Sequence, residues 1–299
     1  MAALASRLRE GGTEVTVVTP SRTPRTLAFA FGDLPVFEAR DPAAHDPIRA
    51  ADLLVILDTA EPHRLGGLAE HLHRCDGVVI DHHPPVGAPL VEPALRDPTA
   101  CSTGELIFDL LGLEGDRLSA LEAQGLYIAI VTDTGSFQFS NTTTRTHQIA
   151  ARLVEAGVDP EAMYRRLYAV YTRGGLALIQ RALQRLEVDP LSPIAWVAVD
   201  HGVLKEAGAR GEDMEGLVEY PRRLEGMEVG LFFRALSSTR TKVSLRSNGD
   251  VDVSSIAQEL GGGGHAKASG VVLELELEEA IRVVVDKVRP AALEACGRE

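Results

Sequence analysis

Continuous apolar runs punctuate the first half of the chain, and several of them stop on a carboxylate. Asp52-Leu53-Leu54-Val55-Ile56-Leu57-Asp58 and Gly77-Val78-Val79-Ile80-Asp81-His82-His83 are the two plainest cases. Unbroken aliphatic segments of this length suit strands covered on both faces, as in a parallel sheet with helices between the strands. Between them, Leu65, Leu68, Ala69 and Leu72 supply a helical crossover over 65–74. A third apolar segment, 126–132, runs into Asp133-Thr134-Gly135. Open α/β sheets bind ligands outside the carboxyl ends of their strands, which places Asp58 and Asp81-His82-His83 on one rim.

The remaining periodicity fills in the unit around these strands. Ala2–Glu10 has helical composition, with Leu4 and Leu8 at i, i+4, and Gly11-Gly12 stops it ahead of a strand at 14–18. A short strand is predicted at 34–37, and helices at 102–111, 144–156, 160–171 and 176–186. Glu105 falls in the first turn of one of these helices. Pro84-Pro85 and Gly87 turn the chain away after the second run. His45, His63, His71 and His73 occupy polar or split-face positions and read as solvated.

Pro190 and Pro193 give 187–193 the character of a linker. Residues 1–187 are therefore read as an α/β domain with a mostly parallel sheet and helices on both faces. Over 188–299, strands are predicted at Ile194–Val199, 229–234, 242–246 and 271–277, with helices at His201–Ala207, 253–260 and 278–288. Mixed elements with short connections describe a smaller α+β domain.

Composition agrees with two domains: 299 residues, 45% of them hydrophobic, suffice for a sizeable core. No apolar run approaches the roughly 18 residues of a membrane span, and the opening residues lack a signal-peptide pattern, so a cytoplasmic protein without membrane contact is expected. Cys75, Cys101 and Cys296 are odd in number and lack motif spacing, which argues against a disulfide framework or a zinc ribbon. A net charge of −13 argues against tracking long nucleic acid, which calls for a basic face. Short anionic substrates remain compatible with it, because metal ions and local cations act at closer range.

Two stretches carry candidate chemistry. Asp81-His82-His83 offers nitrogen and oxygen ligands to a first-row divalent metal from the end of a buried strand. Taken alone, three such residues describe a polar strand-to-loop junction equally well. Gly261-Gly262-Gly263-Gly264-His265 lets backbone N–H groups approach an anion, with a helix start expected after it, whereas a glycine run alone more often marks a turn. Gln138-Phe139-Ser140-Asn141-Thr142-Thr143 offers hydroxyls to a cleft or caps a turn.

In their order along the chain, Asp58, Asp81-His82-His83, Asp133-Thr134-Gly135 and the glycine-histidine stretch resemble the DHH phosphoesterase superfamily with its DHHA1 domain. The resemblance implies a two-manganese site bridged by Asp58, with His82 and Asp133 completing one metal. His83 would face substrate phosphate and Asp81 would orient the signature, the two forming the catalytic pair. Arg246, Gly262, Gly263, Gly264 and His265 would grip the nucleotide or its terminal phosphate. Two divalent ions roughly 3.5–4 Å apart activate water and stabilise an in-line displacement at phosphorus. Mixed oxygen and imidazole ligands favour manganese and leave zinc, iron and cobalt open.

One family feature has no counterpart. A strand ending in a motif of the type His-x-x-Pro-Asp-x-Asp-x-x-Gly-Ser precedes the first helix in the family, and nothing here matches it. The expectation is a native chain beginning roughly 25 to 40 residues earlier, enough for a strand and its flanks. The alternative is an inactive relative that binds nucleotides.

Length and the segment Glu215-Gly216-Leu217-Val218-Glu219-Tyr220-Pro221 resemble the stand-alone nanoRNase and pAp-phosphatase group. The resemblance implies hydrolysis of nanoRNA, dinucleotides and adenosine 3′,5′-bisphosphate (pAp), and a homodimer. An inorganic pyrophosphatase of the same superfamily is the enzymatic rival, with a different second domain.

Overall fold

Parallel ladders carry the first half of the chain and a mixed sheet the second. The computed structural model describes residues 1–72, 76–84, 90–115, 117–168 and 171–297. They fall into two compact units, Met1–Ala169 and Val170–Glu299.

In the first unit, β1 (Val17–Thr19) pairs in parallel with β2 (Val36–Glu38). A second parallel ladder has the order β3 (Leu53–Leu57), β4 (Asp76–Asp81), β5 (Ala94–Arg96). The two ladders share no hydrogen-bonded edge among the described residues. Val79 and Ile80 of the central β4 are buried, as the apolar run predicts, whereas the edge strand β3 leaves Leu53 exposed. Register aligns Leu57 with Ile80, and Asp81 with Arg96, so the carboxyl ends of all three strands lie together.

The crossover between β3 and β4 is a helical turn, Pro62–Leu65, continued by a 3-10 stretch, Gly66–His71. His71 is buried there rather than solvated, at 8% exposure, with its ring 6.3 Å from that of His45. His73, Pro85 and Gly87 lie outside the described residues.

The apolar segment before Asp133 is the end of a helix, Ala120–Asp133, apolar around most of its circumference because it runs through the unit's core. Ser119 and Glu122 form its capping box, and Arg7 Nε donates to the fully buried Glu122 at 2.6 Å, tying on the helix Ala2–Glu10. Helix Thr103–Leu110 packs on the same core helix so closely that a Cβ on Gly104 would meet Ala129 Cβ at 2.8 Å. That close packing relates the start of one helix to the end of the other, where Asp133 sits.

The second unit is a six-stranded sheet of order β10 (Gly263–His265), β11 (Ala268–Leu273), β9 (Arg240–Ser247), β8 (Val229–Ser237), β7 (Ile194–Val199), β6 (Leu186–Val188). Only β7–β8 is parallel. Helix Leu277–Cys296 buries Val284, Val285, Val288 and Ala292 in the core of this unit. The boundary expected at 187 falls inside the unit. The stretch 187–193 is a hairpin, closed by Asp189 N–H donating to Ile194 O at 2.8 Å and anchored by Arg289 Nε on Asp189 at 2.9 Å. Its prolines serve a turn, and Arg289 holds the Asp189 carboxyl below the usual range. No helix among the described residues is long and apolar enough to cross a membrane.

Candidate functional site

Asp58 is the first residue beyond β3, and its N–H still donates to Ile80 O at 3.0 Å. Its backbone then turns with φ of 67°, a left-handed conformation that costs a non-glycine residue on the order of 1 kcal/mol. Thr103 Oγ1 donates to Asp58 Oδ1 at 2.7 Å and fixes the carboxylate.

Asp81, 1% exposed, ends β4. Its Oδ1 accepts from both Nδ1 (2.7 Å) and the backbone N–H (3.2 Å) of His83. These bonds and the two neighbouring imidazoles outweigh burial and hold the Asp81 carboxyl below its ordinary range. With Nδ1 donating, His83 Nε2 accepts from Arg64 Nη1 at 3.1 Å. Arg64 escaped the reading of the sequence, where it is one arginine on a polar turn.

His82 is buried and its Nδ1 lies 3.2 Å from Ala100 O. A carbonyl only accepts, so Nδ1 carries the proton and Nε2 the lone pair. That Nε2 stands 3.6 Å from Asp58 Oδ1 and 3.7 Å from Asp133 Oδ2. Burial lowers the imidazole pKa against the pull of Asp58, which favours the neutral ring.

Asp133 closes its helix, and the chain doubles back through Gly135, Ser136 and Phe137, all left-handed with φ of 55°, 61° and 66°. Ser136 N–H reaches Val131 O at 2.8 Å, and a Cβ on Gly135 would strike the Phe139 ring at 2.4 Å. Left-handed backbone thus falls on Asp58 itself and closely follows Asp133. Burial first, and the Asp58 charge second, push the Asp133 carboxyl up to about 8.

One ligand atom each from Asp58, His82 and Asp133 lies within 4.8 Å of the others. Ligands about 2.1 Å from one ion stand roughly 3.0–3.4 Å apart, close to the separations seen. Once Asp133 is ionised, the two carboxylates and the imidazole lone pair are all acceptors, a set whose mutual repulsion a divalent cation relieves. The donor set therefore fits a metal. Asp58, Asp81 and His83 also cluster within this limit, but Asp81 Oδ1 is committed to His83. Burial pushes the neighbouring Cys101 thiol up to about 12, so it is no nucleophile.

In the second unit, Arg246 on β9 faces Ala268 of β11, which faces His265 of β10. The pair sits in one row, two strand spacings or about 10 Å apart. Arg246 Nη1 donates to Leu245 O at 3.0 Å, and its Nε is 3.6 Å from Glu219 Oε1.

The glycine run follows the helix Val253–Glu259 and enters β10; no helix starts after it. The expected helix-dipole contribution is absent because the chain continues as a hairpin. A Cβ on Gly262 would meet Gly270 O at 2.2 Å, and Gly264, at φ of 143°, would meet Ala268 O at 2.5 Å. Those two glycines are required by strand packing. Gly263 has nothing within 4 Å of its Cβ position.

Residues 195–289 match the DHHA1 domain model. A bifunctional oligoribonuclease and PAP phosphatase NrnA from Thermus thermophilus is 35% identical over 277 residues, covering 89% of this chain and 78% of its relative. The chain belongs to the DHH/DHHA1 phosphoesterase superfamily, in its NrnA group. The Bacillus subtilis NrnA is 28% identical over 242 residues, 78% of this chain and 74% of that one. An exopolyphosphatase-related protein from Bacteroides fragilis superposes with a TM-score of 0.86 at 25% identity, covering 97% of this chain and 88% of the other.

Proposed function

We propose that this chain is a metal-dependent phosphoesterase that hydrolyses dinucleotides and very short oligoribonucleotides and removes the 3′-phosphate from pAp. The observation that carries the reading is the convergence of Asp58 and His82, at the carboxyl ends of parallel strands, with Asp133, at the end of the core helix, in a member of the NrnA group. The names of its NrnA relatives give oligoribonuclease and PAP phosphatase activity; the preference for dinucleotides and very short chains belongs to the proposal.

Asp58, His82 and Asp133 would hold the metal, with manganese as the first candidate. The chemistry such an ion supplies when bound is polarisation of the phosphoryl group and acidification of water. Ala100 keeps the His82 lone pair turned toward the two carboxylates. Asp81 fixes the His83 ring, whose Nε2 holds Arg64 Nη1, so that the ring and the guanidinium together face the substrate phosphate. Arg246 and His265, from their shared row, bind the nucleotide or its terminal phosphate, and Gly263 admits it to the backbone. Cytoplasmic action on such metabolites suits the family, and a homodimer is part of the proposal.

The test is hydrolysis of pAp, a pGpG-type dinucleotide and pyrophosphate by the intact chain with Mn²⁺, beside His82→Ala. The reading expects turnover of pAp or the dinucleotide, and none by the variant. Turnover of pyrophosphate alone would favour the rival, which the DHHA1 match already disfavours. Nucleotide binding without turnover would indicate a non-catalytic relative.

A further inference from the structure

The three converging residues come from separate parts of the sequence, and one short segment touches the support of each. Ala100 O accepts the Nδ1–H of His82 at 3.2 Å. Thr103 Oγ1 donates to Asp58 at 2.7 Å. The third connection runs through Asn141, whose Nδ2 donates to Cys101 O at 3.0 Å and to Asp133 O at 3.1 Å. Cys101 is in turn held by its own N–H on Glu105 Oε2 at 3.0 Å, at the start of the helix whose Gly104 packs on Ala129.

The orientation of the Asn141 amide is set by chemistry. Both its N–H groups point at carbonyl oxygens, and exchanging nitrogen for oxygen would set three acceptors against one another. Its Oδ1 is buried with no hydrogen-bond partner among the described residues, so the clamp rests on the two donors. Asn141 reaches this place because the left-handed turn Gly135-Ser136-Phe137 folds the chain back beneath the helix end. The clamp adds two directional hydrogen bonds to the close packing of Gly104 on Ala129, and such bonds tolerate less sliding than apolar packing does.

We propose that Asn141 is a positioning residue for the metal centre, holding Asp133 in register with His82 and Asp58 by bridging Cys101 and Asp133. The inference rests on the metal-site reading above. Residues that orient ligands from outside the coordination sphere are commonly worth 10- to 100-fold in metal affinity.

The test is Mn²⁺ binding to the full chain, followed by electron paramagnetic resonance, for wild type, His82→Ala, Asn141→Ala and Asn248→Ala. Asn248 is a matched control: its Nδ2 also clamps two carbonyls, Arg222 O at 2.7 Å and Met227 O at 2.8 Å, in the other unit. Asn141→Ala is expected to weaken Mn²⁺ binding about 10-fold or more, with a spectrum showing an altered ligand field. Asn248→Ala is expected to lower the melting temperature and leave the Mn²⁺ constant in place. Should Asn141→Ala not fold, Asn141→Ser, which keeps one donor, is expected to show a smaller loss in the same direction. An Mn²⁺ constant unchanged in folded Asn141 variants, while His82→Ala loses binding, overturns the positioning role alone. Equal binding by wild type and His82→Ala would instead overturn the metal-site reading, and this inference with it.

Discussion

Asp81 Oδ1 accepts two hydrogen bonds from His83, one from the ring at 2.7 Å and one from the backbone at 3.2 Å. The strand's last carboxylate therefore sets the direction of an imidazole two residues on. Asp81→Asn keeps one acceptor and removes the charge that anchors the ring. We predict a loss of roughly 10- to 100-fold in kcat on pAp, with the fold retained by circular dichroism. An unchanged rate would show that His83 needs no such anchor.

Asp133 gives a pH dependence with a definite sign. Its carboxyl, pushed up to about 8, must lose a proton to hold a cation. Mn²⁺ affinity should rise as pH increases toward about 8 and level off above it. In the metal-free protein the same shift works against stability: between about pH 4 and 8 the folded chain binds more protons than the unfolded one, so stability falls as pH rises. Melting temperatures across that window, with Asp133→Asn as the flattened control, check both the direction and the residue.

Arg246 belongs to binding rather than to the chemistry in this account. Arg246→Ala should raise KM for pAp and leave kcat nearly unchanged, which steady-state kinetics at saturating metal would reveal. A drop in kcat at constant KM would place the guanidinium at the reacting phosphate instead.

The glycine run separates folding from binding at neighbouring positions. Gly264→Ala strains a left-handed residue and meets Ala268 O, and should destabilise the protein by roughly 1–3 kcal/mol. Gly263→Ala meets nothing and should leave the melting temperature in place while weakening nucleotide binding. Denaturation curves and ligand titrations on the two variants distinguish the roles.

The strand ends were legible because buried parallel strands read as aliphatic runs, and a carboxylate at the end of such a run stands out. Asp58 and Asp81-His82-His83 are visible for that reason. The segment leading to Asp133 is equally apolar as a helix through the core, so its composition did not reveal its periodicity. The hairpin at 187–193 was hidden because turn prolines resemble linker prolines, and only the long-range ion pair Asp189–Arg289 distinguishes them. Thr103 and Arg64 carry no local signal, because each acts on a residue distant in the sequence; Asn141 stands in a polar stretch that was visible, but its bond to Cys101 was not. The glycine run was visible as a motif, but strand packing, which explains Gly262 and Gly264, was not.

Crystals grown with Mn²⁺ and measured for anomalous scattering at the manganese edge address the central claim most directly. The account predicts a peak roughly 2.0–2.3 Å from Asp58 Oδ1, His82 Nε2 and Asp133 Oδ2 together. A peak elsewhere, or none at these three atoms under saturating Mn²⁺, would contradict it.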